Sequence, residues 1–114
     1  MAAMAIKSFK CKETEALFSG CRVSRWLNIE RAALRKLEQL DWSIILDDLR
    51  VPSGNKLEAL KGNRKGQHSI RINDQWRVCF IWNIDCAIEV EIVYYHLRSY
   101  YARYSTCNAR RNAG

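Results

Sequence analysis

The sequence predicts an α+β domain: an antiparallel sheet with two or three N-terminal helices packed on one of its faces. Within residues 1–96, helical periodicity is confined to the first half, and strict apolar/polar alternation to the second. An odd-length polar turn, Asn73-Asp74-Gln75, joins two of the alternating runs as a hairpin. Helices followed by strands, rather than strands and helices in alternation, give an antiparallel sheet.

Ala5 to Lys10 reads as a short first strand, and Thr14 to Phe18 as a brief helix ended by Ser19-Gly20. Asn28 is placed to cap a second helix, with Glu30 in its first turn, where the helix dipole favours a carboxylate. Ile29, Ala33, Leu37 and Leu40 recur at steps of four, four and three, forming one apolar stripe. Arg31, Arg35, Lys36 and Glu38 lie mostly off that stripe as a solvated face. Trp42 to Leu49 is apolar and reads as a further short helix, and Arg50 to Asn55, with Pro52 and Gly54, as the loop into the sheet.

The strands begin at Lys56–Leu60, followed by the turn Gly62-Asn63-Arg64-Lys65-Gly66. Trp76, Val78, Phe80 and Trp82 alternate, as do Ile88, Val90, Ile92 and Tyr94, so each set covers one face. His68, Ile70 and Ile72 share a face in the preceding strand, and His68 reads as a packed residue. Aligning the apolar faces sets Ile72 opposite Trp76 and Arg71 opposite Arg77 on the other, charged face. Cys79, Glu89, Glu91 and Tyr95 belong to that same face.

A chain of 114 residues is one domain, large enough to bury roughly two-thirds of its unfolded surface. Its formal charge of +7 favours an acidic partner such as nucleic acid. Five cysteines without C-x-x-C spacing, and only two histidines, argue against a zinc site and for reduced thiols in a cytoplasm. The start, MAAMAIK, lacks the basic n-region of a signal peptide, and no apolar run approaches membrane-spanning length, so no membrane is expected.

Charge concentrates in residues 56–82, where Lys56, Lys61, Arg64, Lys65, Arg71 and Arg77 stand against Glu58 and Asp74. Cations on a rigid sheet, interleaved with aromatics, are suited to grip a phosphate backbone. The wording L-x-x-L-K-G-x-R-x-G-x-x-S-I-R, followed by W-R-V-C-F, resembles the HigB-like branch of the RelE/ParE toxin superfamily, and the resemblance spans residues 6–96. It implies a RelE-like toxin domain over 1–96 and a basic C-terminal extension over 97–114. In that extension Leu97, Tyr100, Tyr101 and Tyr104 have amphipathic helical spacing beside Arg98, Arg103, Arg110 and Arg111.

The resemblance further implies a ribosome-dependent messenger-RNA endonuclease that needs no metal or other cofactor, with a HigA-like helix-turn-helix antitoxin as partner. Operator DNA would be reached only through that antitoxin. Arg77 occupies the family's W-R position, where it would stabilise charge on a pentacoordinate phosphorus. Lys61 and His96 would move protons. Glu58, where some members have a histidine, can act as a base or neutralise a cation. The family's terminal D-Y-H reads Y-Y-H here, with Tyr94 replacing the acid on the apolar face. Lys56, Arg64, Lys65 and Arg71 are expected to contact RNA, and Tyr95 to stack on a base. The stretch from Cys21 to Trp26, with Arg22 and Arg25, is the expected antitoxin contact. A non-cleaving, ParE-like inhibitor, or an inactive relative that binds only RNA or antitoxin, is the competing expectation.

Overall fold

The computed structural model describes residues 4–94; Tyr95, His96 and the extension 97–114 lie outside them. Helix α1 (Lys12–Phe18) and helix α2 (Glu30–Trp42) precede four strands, β1 (Glu58–Ala59), β2 (His68–Arg71), β3 (Trp76–Asn83) and β4 (Cys86–Tyr94). The strands form one antiparallel sheet in the order β1-β2-β3-β4. This is the α+β fold expected of a RelE-like chain.

The Cys11 sulfur accepts from Thr14 N at the start of α1, and Glu13 and Glu15 occupy its first turn. Its end is closed by two backbone bonds, Gly20 N to Leu17 O and Cys21 N to Ala16 O, with Gly20 at φ 101°. That pair of bonds requires a left-handed residue, which glycine adopts without steric cost. Helix α2 buries Ala33, Leu37 and Leu40 as the periodicity demands. It starts two residues after Asn28, which lies in a 3-10 turn (Ser24–Ile29), so Asn28 does not cap it. The expected helix over Trp42–Leu49 is only a 3-10 turn, Leu46–Arg50. Trp42 ends α2, and Ile44 and Ile45 are exposed.

Both helices pack on one face of the sheet, where Ile70, Ile72, Val78, Phe80, Val90 and Ile92 join Leu17, Trp26, Leu37 and Leu40 in a single core. Thr14 Oγ1 accepts from Ile92 N at 3.1 Å and ties α1 to β4. The predicted β2–β3 register is observed, with Ile70 opposite Val78, Arg71 opposite Arg77, and Ile72 N bonded to Trp76 O at 2.9 Å. Tyr94 packs edge-on against Trp76 at 5.3 Å, on the apolar side as parity required.

Parity fails in β4 before Val90. Cys79 faces Glu91 and Ile81 faces Ile88, so two residues, Glu89 and Val90, oppose Phe80 alone. This bulge puts Glu89 at φ 53°, exposes it, and carries Ala87 into the core while Ile88 moves to the other face. Glu89 N bonds Ser8 Oγ at 2.9 Å. The N-terminal segment lies along β4 in parallel fashion, through bridges at Ile6–Ala87 and Phe9–Val90, instead of forming the strand expected over Ala5–Lys10. It satisfies an edge that would otherwise be open. Cys21, Cys79 and Cys86 are free thiols.

His68 stacks on Phe80 with centroids 6.3 Å apart, and its Nδ1 is buried without a hydrogen-bond partner among the described residues. Burial first, and then the charge of Arg50, hold its pKa below the ordinary value. The unfolded chain therefore binds more protons than the folded one once pH drops below about 6.5. Stability is expected to be complete above that pH and to fall as pH drops toward the depressed folded-state value. Chemical denaturation of wild type and His68→Gln across this window should show a difference that grows on acidification; parallel curves would contradict it.

Candidate active site

The face of the sheet away from the helices is built on one row of residues. Glu58 on β1 pairs with Ser69 on β2, Ser69 with Cys79 on β3, and Cys79 with Glu91 on β4. The row begins and ends in a carboxylate, and an arginine reaches each. The expected display of charge is thus largely internal: Ser69, Arg77, Cys79 and Glu91 are all buried, and Leu60, Cys79 and Val93 make a small second apolar cluster.

Arg77 stands one row away, between Arg71 and Val93, and its side chain crosses back over Ser69. Its Nη1 donates to Ser69 Oγ and lies 3.1 Å from Glu58 Oε1, while Nη2 donates to Lys56 O at 3.0 Å. Lys56 sits in the left-handed region at φ 48°, which shortens the expected Lys56–Leu60 strand to Glu58–Ala59 and turns the Lys56 carbonyl onto the guanidinium. The Arg77 side chain is 5% exposed, that of Glu58 45%. A rigid buried cation therefore holds a half-exposed carboxylate. Of the two roles open to Glu58, cation neutralisation is the one this geometry displays.

Arg64 closes the other end of the row. Its Nη1 lies 2.9 Å from Glu91 Oε2 and 3.0 Å from Gln67 Oε1, and its side chain is buried. The sequence marked Arg64 as an RNA contact; the structure instead spends it in anchoring the turn to β4. Lys61 and Lys65, on the same turn, are exposed. Lys10, delivered by the N-terminal segment, lies 3.8 Å from the same Glu91 oxygen. The sequence reading missed it, because only the parallel bridge at Phe9 brings it to this face.

Cys79, at the centre of the row, is no nucleophile: burial pushes its thiol up to about 12. Arg71 is held by Asp74 in the hairpin turn. The expected antitoxin patch does not survive as drawn, since Trp26 is fully buried beneath the Arg25 guanidinium, 4.7 Å from its centroid, and Arg25 also pairs with Glu13. Arg22 alone of the three is well exposed.

An arginine fixed by backbone and hydroxyl acceptors thus stands beside a half-exposed carboxylate, with exposed Lys61 and Lys65 on the adjoining turn. Residues 7–96 match the family model described as the RelE-like toxin of the type II toxin–antitoxin system HigB. The chain belongs to the HigB-like toxin family. Among curated relatives, it is 45% identical over 76 residues to Toxin HigB-1 of Vibrio cholerae serotype O1, a match covering 65% of this chain and 80% of that protein. As a type II toxin it has an antitoxin as partner. Among the described residues, no helix of this HigB-like toxin is long and apolar enough to cross a membrane.

Proposed function

We propose that this toxin is a cytoplasmic, ribosome-dependent endoribonuclease that cleaves messenger RNA. The observation that carries the reading is the Glu58–Arg77 pair at 3.1 Å, a preorganised guanidinium with its carboxylate open to solvent. A substrate 2′-hydroxyl attacks the adjacent phosphorus, forming the O2′–P bond as the P–O5′ bond breaks. Arg77 stabilises the added negative charge without reorganising, because Ser69 and Lys56 already fix it. Lys61 and His96 move the protons, with Glu58 as a further base. Lys56, Lys65 and Arg71 supply phosphate contacts, and Tyr95 a stacking platform. The HigA-like antitoxin, itself the operator-DNA reader, is the regulatory partner.

Cleavage should leave a 2′,3′-cyclic phosphate and a 5′-hydroxyl, and proceed undiminished in chelator. The test is induction of the toxin, followed by mapping of messenger-RNA 5′ ends and their termini, with purified ribosomes assayed with and without EDTA. Loss of activity in chelator, restored by magnesium, would overturn the mechanism. One observation favours the competing reading: the Arg77 side chain is nearly inaccessible and held by three partners, as in a purely structural residue. Growth arrest without any new RNA ends would identify a non-cleaving inhibitor.

A further inference from the structure

The turn between β3 and β4 carries a residue that folding alone disfavours. Asn83 pairs with Cys86, so Ile84 and Asp85 form the whole loop. Ile84 sits at φ 62°, where a β-branched side chain is strained and glycine or asparagine is the ordinary choice. It is also 89% exposed, so burial within the toxin offsets none of that strain. The turn is nonetheless fixed, with Asp85 N donating to Asn83 O at 2.7 Å and Trp82 Nε1 to Ile84 O at 3.1 Å.

Further exposed apolar side chains adjoin this turn. Met4, Ala5, Lys7, Ser43, Ile44 and Asp85 line one recess. The backbone bonds from Ala5 N to Asp41 O and from Ala87 N to Ala5 O bring the end of α2, the N-terminal segment and the hairpin together there. Met4, Ile44 and Ile45 are exposed, as is Trp42 at the end of α2. Two carboxylates rim the patch: Asp85, and Asp48, whose Oδ2 accepts from Ile44 N at 2.8 Å and Ile45 N at 3.1 Å. Neither is in an ion pair among the described residues, and Lys7 is the cation of the recess. In a chain of net charge +7, an apolar patch with unpaired carboxylates at its rim is unsuited to a phosphate backbone. It suits a protein surface that carries cations.

We infer that Ile84, Ile44 and Met4 form a docking surface for the antitoxin, taking the apolar face of one of its helices with lysine or arginine beside that face. This rests on the reading of the partner as an operator-DNA-binding antitoxin, which carries such cations, and on none of the RNA chemistry. Burial against the helix supplies the apolar contacts that Ile84 lacks in the toxin alone and offsets its strain. Asp48 and Asp85 pair with the flanking cations and set the approach. Strand β3 places Ile84 and Arg77 beyond opposite ends, roughly 20 Å apart at about 3.3 Å per residue, so the surface can be altered without touching the Arg77 site.

The test uses the full-length toxin and its purified cognate antitoxin, with affinity read by calorimetry, stability by thermal denaturation and association state by sedimentation. Ile84→Asn tolerates the positive φ and removes the apolar side chain. It should raise the Tm of the toxin alone by a few degrees and still weaken antitoxin binding about tenfold or more. Ile44→Asn should weaken binding to a similar extent with the Tm nearly unchanged. Asp85→Asn should slow association and flatten its salt dependence. Higher stability joined to lower affinity at one residue is the signature that a purely structural Ile84 would not give. Wild-type affinity in both Ile84→Asn and Ile44→Asn overturns the surface while leaving the antitoxin as partner, and no binding by wild type removes both. A wild-type toxin dimer that Ile84→Asn converts to monomer overturns it in favour of a second copy. Loss of ribosome binding with antitoxin affinity intact overturns it in favour of the ribosome. The expected affinity losses count for the surface even where wild type cleaves no RNA, in which case only the nuclease reading falls.

Discussion

Arg77→Ala is expected to abolish growth arrest. Removal of a preorganised charge-stabilising donor costs about 3–4 kcal/mol of barrier, a loss of roughly 10²–10³ in cleavage rate. The same truncation leaves Ser69 Oγ, Lys56 O and Glu58 without the donor that holds them, so stability falls as well. Arg77→Lys separates the two effects. It keeps the positive charge beside Glu58 but cannot reproduce the fork that bonds Ser69 and Lys56 together. The Lys variant should fold, as judged by thermal denaturation and circular dichroism, and still cleave far more slowly than wild type. Wild-type cleavage by either folded variant would remove Arg77 from the mechanism.

Arg64→Ala is expected to produce the largest loss of stability, about 3–5 kcal/mol, because it strands the buried charge of Glu91. Glu91 Oε1 already lacks a hydrogen-bond partner among the described residues, and Lys10 reaches Oε2 only at 3.8 Å. Adding Glu91→Gln should recover part of the loss by removing that charge. Urea denaturation of the wild type, both single variants and the double variant measures this directly. A cost below about 1 kcal/mol, the range of an exposed ion pair, would show that the Arg64–Glu91 contact does not hold the turn. The folded fraction of Arg64→Ala must be established before any change in its activity is ascribed to RNA binding.

The two arginines show where sequence reasoning reached and where it stopped. Both stand in a basic stretch, and both read as surface cations. The β2–β3 register was legible, because the turn Asn73-Asp74-Gln75 and the apolar alternation admit only one alignment that keeps Ile70, Ile72, Val78 and Phe80 together. It correctly set Arg71 against Arg77. The partner of each cation was not legible. Glu58 reaches Arg77 from the strand beyond Ser69, and Glu91 lies 27 residues from Arg64. Glu89, which parity had set on the same face, is turned outward by the bulge and takes no part.

The local chemistry of the chain determined the class of fold, the helical stripe from Ile29 to Leu40, the sheet register on either side of the β2–β3 turn, and the motif that marks a HigB-like toxin. Those features follow from periodicity and turn composition, which act between neighbours along the chain. Tertiary structure decided the burial of Arg64, the exposure of Trp42, the covering of the β4 edge by residues 5–10, and the hydrogen bond from Lys36 to Asn55. Each depends on an energy between segments far apart in sequence. A buried cation is stable only where another element presents an acceptor, and no local pattern records which element that will be.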